Sequence, residues 1–452
     1  MRTSVLLRAL LPPLLHVLFA HAACECGYTA TNTLYTDLQE ADFLHLYSLP
    51  GSIDAPYKLH VGWQPQVYNV TRDASQGPYG KSATLDNIVL NPLATREDWG
   101  GSGILGGDPG LQLWVRSRTN LTTLASGDQA VQIAELDTER RDVLYGTFRV
   151  GMKTTNVTGT CAAFYWYYNN TQEIDLEHLS QQASPFNDTA PINLVVQSPQ
   201  SEANGFDAAN TDDFKLYRLP FMPSDGYHEY RFDWLPTRVS FYADGKYLQS
   251  FTDNVPTSPG HLVLSHWSNG NSGWSAGPPE VDALMTVSYV KAYFNSTNTT
   301  RIAQWHEACS NGTQGRTCQI PDQLTSIDPT GPQGHFNGHT FFFSEQEDQS
   351  VNQTLYPAAT AVPNLARRSK DSIADKLLTG LVIVFFIWAA LIVVSLIAVL
   401  TMHRVVRLIP RANPPVVNRA TLERPVVIEL GALARNEPDN ETLPVVGRDE
   451  TT

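Results

Sequence analysis

The sequence predicts an all-β sandwich followed by a single transmembrane helix. Short runs rich in aromatic and β-branched residues recur from about residue 57 to residue 294, and clusters of Gly, Pro, Asn and Asp separate them. We find no long amphipathic helix and no internal repeat in that part of the sequence. Near the end of the chain, residues 377–402 are uncharged and long enough to span a bilayer with some tilt.

Nine runs predict the strands of the sandwich, because they are short and bounded by turn-forming residues. Asp244-Gly245 lies inside one of these runs and is a strong signal for a hairpin turn. In chain order the runs are YKLHVGW, LYGTFRVGMK, CAAFYWYY, EIDLEHL, INLVVQS, YHEYRFDW, VSFYADGKYLQSF, HLVLSHW and MTVSYVKAYF.

Segments on either side of the sandwich predict a membrane protein. Residues 1–22 combine early arginines, an apolar run and a small-residue cleavage site, as a signal peptide does. The folded domain is predicted over residues 23–320 and a disordered, glycosylated stalk over 321–376, ahead of the span at 377–402. Residues 403–452 then form a disordered cytosolic tail. The chain is therefore expected to be a single-pass type I protein with its domain extracellular or lumenal.

The composition excludes some classes of partner. A formal net charge of -14 and a pI near 5.3 argue against a basic face that binds nucleic acid or anionic lipid. The cysteines lack metal-ligand spacing, and we predict neither a metal nor a cofactor. Nine glycosylation sequons before the span agree with an ectodomain: Asn69, Asn120, Asn156, Asn169, Asn187, Asn295, Asn298, Asn311 and Asn352.

The five cysteines predict two disulfides and one free thiol. Cys24 and Cys26 open the mature chain, and Cys309 and Cys318 follow the last strong strand pattern. Cysteines two positions apart rarely pair with each other, so we expect the first two to bridge to the last two. The sequence leaves the order of pairing open. Cys161 is then predicted to be a buried free thiol.

The run TQEIDLEHLS places three carboxylates, Glu173, Asp175 and Glu177, on alternate positions. A period of two puts them on one face of a strand, with Ile174 and Leu176 in the core. Neighbouring carboxylates on that face repel each other by roughly 2 kcal/mol per pair. This repulsion must be relieved by a cation or by a held proton.

The sequence around the acids contains no such cation. Between Lys153 and Lys215 there is no Lys or Arg, so a neutralising cation must come from far along the chain. A held proton would leave a carboxylic acid beside a carboxylate, which is what general acid catalysis needs. Two alternatives are a solvated strand face and an oxygen-rich cation site formed by Glu173, Asp175 and His178.

The residues around this strand resemble those of glycoside hydrolase family 16, the laminarinase-like β-glucanases and glucan transglycosylases, including fungal-type membrane-anchored members. EIDLE is similar to the family's E-I-D-x-E active-site strand, and the match is collinear over roughly residues 30–294. The other matching runs are YGTFRVGMK, GTCAAFYWYYNNTQEIDLE, HEYRFDWLPTRVSFYADGK, HLVLSHWSNGNSGWSAGPP and MTVSYVKAYF.

The resemblance implies a β-jelly roll of the concanavalin A-like lectin and glucanase type, with a sugar-binding cleft on its concave face. It implies that Glu173 is the nucleophile, that Glu177 is the general acid/base, and that Asp175 between them tunes both. With these residues the reaction would be hydrolysis with retention of configuration.

Substrate binding needs flat apolar platforms with polar edges, because pyranose faces are lines of C–H groups. Trp267 and Trp274 lie in the Gly/Asn/Ser-rich run WSNGNSGWSAG, a composition that suits a loop at the rim of a cleft. Trp114, Trp166 and His228 are further substrate-binding candidates.

We therefore expect a membrane-anchored glycoside hydrolase that cleaves internal β-1,3 or mixed β-1,3/1,4 bonds of cell-wall β-glucan. One alternative is a wall-remodelling transglycosylase that uses the same residues. Another is a non-catalytic, lectin-like ectodomain that binds carbohydrate. The polysaccharide is the expected partner, and we predict no protein or nucleic acid partner.

Overall fold

A computed structural model describes residues 24–47, 62–183, 190–313, 316–321, 328–330 and 341–343. The predicted signal peptide, membrane span and cytosolic tail lie outside these residues, as do the sequons at Asn187 and Asn352. Among the described residues, no helix combines the length and the apolar character that crossing a membrane requires.

The described residues form mostly β-structure, as the sequence predicts. The three α-helices are α1 (Arg72–Ser75), α2 (Pro199–Ala203) and α3 (Thr299–Cys309). The strands are β1 (Tyr28–Ala30), β2 (Thr33–Tyr35), β3 (Asp37–Asp42), β4 (Trp63–Pro65), β5 (Tyr68–Val70), β6 (Gly80–Ala83), β7 (Ile88–Asn91), β8 (Gly110–Val115), β9 (Thr122–Thr123), β10 (Gln129–Thr138), β11 (Val143–Lys153), β12 (Cys161–Asn169), β13 (Gln172–Leu179), β14 (Pro191–Gln197), β15 (Phe214–Arg218), β16 (His228–Leu235), β17 (Arg238–Ala243), β18 (Lys246–Phe251), β19 (His261–Trp267), β20 (Ala283–Ser296) and β21 (Cys318–Gln319).

Two large sheets make up the sandwich. A ten-stranded sheet follows the order β15-β14-β13-β12-β19-β10-β6-β5, with β4 and β9 pairing on β10. An eight-stranded sheet follows the order β18-β17-β16-β11-β20-β8-β7, with β3 pairing on β20. The hairpins β12 to β15 and β16 to β18 lie in different sheets, and β19 then returns to pair with β12. Such exchanges between two sheets are typical of a jelly roll.

The hydrophobic core lies between the two sheets and is dominated by aromatic pairs. Phe164 on β12 packs against Phe232 on β16, with 5.6 Å between ring centroids. Trp166 packs against Trp234 in the same way at 4.3 Å, and all four side chains are fully buried. Each pair contributes about 1 kcal/mol beyond its buried area. Alternate residues of β12 and β13 therefore face away from the core.

A three-stranded sheet in the order β2-β1-β21 joins the two ends of the domain. Its Tyr28 ring packs 5.3 Å from that of Tyr293, which points outward from the eight-stranded sheet. The small sheet therefore covers part of that outer face.

Two disulfides fix the small sheet, and they confirm the predicted pairing of the first two cysteines with the last two. The order is Cys24 with Cys318 and Cys26 with Cys309. Cys161 is a buried free cysteine, as expected.

The predicted stalk begins too early. Phe341 and Phe342 are 6% and 1% exposed, and the Phe341 ring lies 5.0 Å from that of Tyr289 on β20. The Nζ atom of Lys291 donates a hydrogen bond to the backbone oxygen of Phe341 at 2.5 Å. The boundary at residue 320 is therefore wrong for residues 341–343, because the polar composition around these phenylalanines conceals a packed segment.

Candidate active site

The three predicted acids lie on β13, two strands in from the edge strand β15 of the ten-stranded sheet. Ile174 and Leu176 are fully buried in the core, so the residues that alternate with them face outward. Glu173, Asp175 and Glu177 therefore share the outer face of the sheet, which confirms the face predicted from the period of two.

The acids lie in a recess, since Asp175 faces outward and is nevertheless only 4% exposed. The strand register places Tyr165 of β12 opposite Asp175. Trp267 and Trp274 pack beside them on the same side of the sheet, next to Ala163. These aromatic side chains form walls that remove the carboxyl groups from bulk water.

Burial and mutual repulsion change how the carboxyl groups bind protons. Burial raises the pKa of Glu173 to about 7. Burial, followed by repulsion from Glu173 and Glu177, raises the pKa of Asp175 well above its ordinary value. Asp175 therefore keeps a proton and donates it in a hydrogen bond to Glu173, which opposes the rise in the pKa of Glu173.

Glu177 is held by two uncharged donors. The Sγ atom of Cys161 lies 3.1 Å from Oε1 of Glu177, and the indole N–H of Trp274 also donates to this carboxyl group. Burial raises the pKa of Glu177, and both hydrogen bonds oppose this rise. Burial therefore favours the protonated form of Glu177, and the two donors fix the position of its carboxyl group.

The arrangement thus places a carboxylate and a proton donor on one face of one strand. Glu173, with Asp175 donating to it, is suited to nucleophilic attack. Glu177, with its raised pKa, is suited to deliver a proton and later to remove one. The sequence predicts the residues of this pair, and the hydrogen bonds assign them different environments.

Lys81 supplies the distant cation that the sequence requires. It lies on β6, and its Nζ atom is 4.7 Å from the centroid of the Trp267 ring. Its positive charge lowers the pKa values of Glu173 and Glu177 and so opposes the effect of burial. No local pattern identifies Lys81, because β6 reaches the site only through the pairing of β10 and β19.

A second acidic pair, Glu135 and Asp137 on β10, was not predicted. Glu135 lies opposite Ser265 of β19 and near Tyr68, and burial raises its pKa. The Oδ2 atom of Asp137 lies 3.3 Å from Nε2 of His261. The alternation within QAVQIAELDT indicates that the two acids share a face, but only the sheet order places that face beside β12 and β13.

The predicted platforms Trp267 and Trp274 lie beside the acids. Trp267 is opposite Cys161 in the strand register, and Trp274 donates to Glu177. Both are partly exposed, so both can contact a ligand in the recess.

The other three substrate-binding candidates are wrong. Trp166 is 0% exposed and lies in the core against Trp234. Trp114 lies on β8 in the eight-stranded sheet, on the face opposite the core residue Leu113.

His228 lies on β16, also in the eight-stranded sheet. Its ring stacks on that of Phe221 at 3.5 Å, and its Nδ1 atom lies 2.7 Å from Oδ2 of Asp244. His178, the third ligand considered for a cation site, faces the core, and its ring lies 4.8 Å from that of Tyr230. The cation site considered for Glu173 and Asp175 therefore lacks its third ligand.

Comparison with known proteins agrees with this geometry. Residues 109–291 match the family model described as Glycosyl hydrolases family 16. A beta-glucanase of Bacillus subtilis (strain 168) is 31% identical over 129 residues, which cover 27% of this chain and 47% of that protein. The chain spans about half the length of the curated relatives it matches.

Solved structures are similar at lower identity. The endo-beta-1,3-glucanase from Pyrococcus furiosus has a TM-score of 0.42 at 15% identity, covering 58% of this chain and 96% of that one. A Crh5 transglycosylase has a TM-score of 0.37 at 17% identity, covering 57% of this chain and 84% of that one.

The family resemblance predicted from EIDLE is confirmed by the match to the family model. The matched residues contain β13 with all three acids, and also Trp267 and Trp274. Over residues 109–291 the chain is therefore similar to glycosyl hydrolases family 16.

Proposed function

We propose that the domain is a retaining glycoside hydrolase that cleaves internal β-1,3 or mixed β-1,3/1,4 bonds of β-glucan. The observation that carries this proposal is that Glu173, Asp175 and Glu177 share one face of β13. Asp175 donates to Glu173 there, whereas Cys161 and Trp274 donate to Glu177. The relatives named as beta-glucanases support the choice of substrate.

In the first step the carboxylate of Glu173 attacks the anomeric carbon while the bond to the leaving oxygen breaks. Glu177 gives its proton to that oxygen, so the leaving sugar departs with a hydroxyl group. A covalent glycosyl ester with Glu173 remains. In the second step Glu177 takes a proton from water, the water oxygen bonds to the anomeric carbon, and Glu173 is released.

The strand geometry is compatible with this mechanism. Residues four apart on a strand have backbones about 13 Å apart, and two Glu side chains that lean together can approach the roughly 5 to 5.5 Å of a retaining pair. Asp175 keeps its proton between them and limits the repulsion in the recess.

We propose further that the domain is anchored to a membrane by residues 377–402 and acts outside the cytosol on wall polysaccharide. The apolar length of that segment and the signal-like residues 1–22 support this. Two disulfides support it too, because disulfides persist in oxidising compartments.

The proposal is tested with the full chain, purified in detergent and incubated with laminarin, mixed-linkage glucan, xyloglucan and chitin oligosaccharides. Shorter β-glucan products whose reducing ends are first formed in the β configuration are expected. Products longer than the substrate would instead identify a transglycosylase. Binding of a glucan without any change in its length would contradict catalysis and favour the lectin-like alternative.

Replacing Lys81 with methionine is expected to shift the pH profile of kcat/KM to higher pH on both limbs. Without the ammonium charge, Glu173 and Glu177 lose their protons less readily. At pH 5 the loss of activity should be roughly three- to tenfold, from the size of a partly screened charge interaction. Initial rates between pH 4 and pH 9 measure it.

Lys81→Arg keeps the charge and is the matched control, so its profile should stay close to that of the wild type. An unchanged profile in Lys81→Met would contradict an electrostatic role for Lys81. A uniform fall at every pH would instead indicate damage to the Trp267 contact.

A further inference from the structure

The loop between β7 and β8 presents two neighbouring aliphatic side chains to water, Ile104 and Leu105, which we call the aliphatic tip. Ile104 is 50% exposed and Leu105 is 66% exposed, the highest value of any large apolar side chain in the described part of the chain. Residues 99–107 read WGGSGILGG and contain no charged side chain. Single exposed apolar residues are ordinary on a protein surface, but two adjacent ones in an uncharged loop indicate contact with a partner.

A buried asparagine fixes the backbone of the aliphatic tip. The Oδ1 atom of Asn91, whose side chain is fully buried, accepts a hydrogen bond from the backbone N–H of Leu105 at 2.8 Å. Its Nδ2 atom donates to the backbone oxygens of Gly106 and Asp108, both at 2.9 Å. The turn therefore holds the two aliphatic side chains outward.

The backbone N–H groups of the aliphatic tip are already satisfied. Besides the bond from Leu105 to Asn91, the N–H of Ile104 donates to the backbone oxygen of Pro92 at 2.8 Å. A backbone group with a protein partner enters an apolar phase without losing a hydrogen bond to water. The tip can therefore leave water at little cost to its backbone.

The space around the aliphatic tip is open. Gly106 and Gly107 follow it with φ values of +82° and +65°, in the left-handed region that favours glycine. A Cβ atom at either position would meet nothing within 4 Å. A broad surface can therefore reach both aliphatic side chains.

The charges nearest in sequence are set apart from the aliphatic tip. Residues 96–98, an arginine and two acids, lie in a separate turn, which the pairing of Leu93 with Gly103 closes off from the tip. On the other flank, Oδ2 of Asp108 lies 3.0 Å from Nζ of Lys153, so its charge is compensated. The tip therefore offers carbon rather than charge, which argues against a partner that is recognised by its charge.

The end of the described chain packs against the same loop. The backbone N–H of Gly101 donates to the backbone oxygen of Pro329 at 2.7 Å, and the Trp99 ring lies 5.9 Å from that of Phe342. The described chain ends directly after this contact, and the proposed membrane span at 377–402 follows in the sequence. The corner of the domain that carries the aliphatic tip is therefore also the corner at which the described chain ends.

We propose that the aliphatic tip inserts into the surface of the membrane that anchors the chain. This inference rests on the proposed membrane anchor. Aliphatic side chains are stabilised when they pass from water to the acyl boundary of a bilayer, and this loop enters without burying a charge. A second attachment to the membrane restricts how the domain turns about its anchor. The catalytic recess then keeps one orientation toward the polysaccharide outside the membrane.

The test uses the full chain reconstituted in phosphatidylcholine vesicles, with Leu105→Cys labelled by an environment-sensitive fluorophore. Cys161 is buried and the other four native cysteines form disulfides, so the introduced thiol is labelled selectively. We expect the emission of the label to shift to shorter wavelength. Nitroxide groups on the lipid acyl chains should quench it, and iodide in the water should not.

Tyr247→Cys is the matched control. Tyr247 is 56% exposed on β18, at the edge of the eight-stranded sheet opposite to β7. A label there should be quenched by iodide and not by the lipid nitroxides. Combining Ile104→Asp with the labelled Leu105→Cys should return the label at the tip to water, because a carboxylate beside it must stay hydrated.

The same quenching pattern at both labelled positions would overturn the proposal. Protection of the tip from iodide without quenching by the lipid nitroxides would also overturn it, and would identify a second copy of the chain as the occupant. A chain that fails to float with the vesicles would contradict the proposed anchor, and the inference would fail with it.

Discussion

Replacing Glu173 with glutamine is expected to lower kcat/KM on β-glucan by on the order of 10⁴-fold or more. The amide has nearly the shape of the carboxyl group but cannot attack the anomeric carbon, so the covalent step is lost. Substrate binding should survive, because the aromatic walls and Glu177 are unchanged. Initial rates and calorimetric binding of the same oligosaccharide separate the two effects.

Stability provides the control for this variant. The pKa of Glu173 is raised from 4.5 to about 7 in the folded protein, so the folded state holds this proton more tightly than the unfolded state. Stability is therefore lost as the pH rises from about 4.5 to about 7. Glutamine removes this loss, so the midpoint of thermal unfolding at pH 7 should be equal to or higher than that of the wild type.

A lower midpoint of thermal unfolding in Glu173→Gln would contradict this account. The lost activity would then be explained by unfolding of the variant. Glu307→Gln changes an exposed acid on α3 and should retain wild-type rates. If Glu173→Gln kept more than about one hundredth of the activity, Glu173 could not be the nucleophile.

Local pattern predicts the acid face because all the information lies within five residues. In EIDLE, the alternation alone assigns Ile174 and Leu176 to the core and the acids to the other face. The same reasoning could have corrected Trp166, which the strand register places opposite Ile174 and therefore on the core side. The role of an aromatic residue in a strand can thus be assigned only when the register of its partner strand is known.

Other features depend on pairing that no local pattern contains. Lys81 and Glu135 reach the recess through β6 and β10, which the order of the sheet brings beside β19. Phe341 packs on Tyr289, and the run of three phenylalanines that it begins lies between polar stretches of the sequence. Contacts between distant segments thus determine the electrostatics of the site and the end of the domain.

Removing both disulfides is expected to destabilise the domain far more than removing either one. Each bridge closes a loop of nearly 300 residues, with sequence separations of 294 and 283. Closing a loop of that length contributes about 5 kcal/mol or more in the chain-entropy description. With one bridge intact, however, the other closes only a small ring made of residues 24–26 and 309–318, which contributes about 3 kcal/mol.

We therefore expect Cys26→Ser with Cys309→Ser to lower the free energy of unfolding by about 3 kcal/mol, and Cys24→Ser with Cys318→Ser to do the same. Loss of all four cysteines should lower it by about 8 kcal/mol, a large part of the stability of an ordinary domain. Urea unfolding followed by tryptophan fluorescence measures these changes. Cys161→Ser, which removes no bridge and keeps a donor to Glu177, is the matched control. If one pair alone produced the whole loss, the two bridges would not be closing the same loop, and β1 and β21 would depend on a single bridge for their pairing.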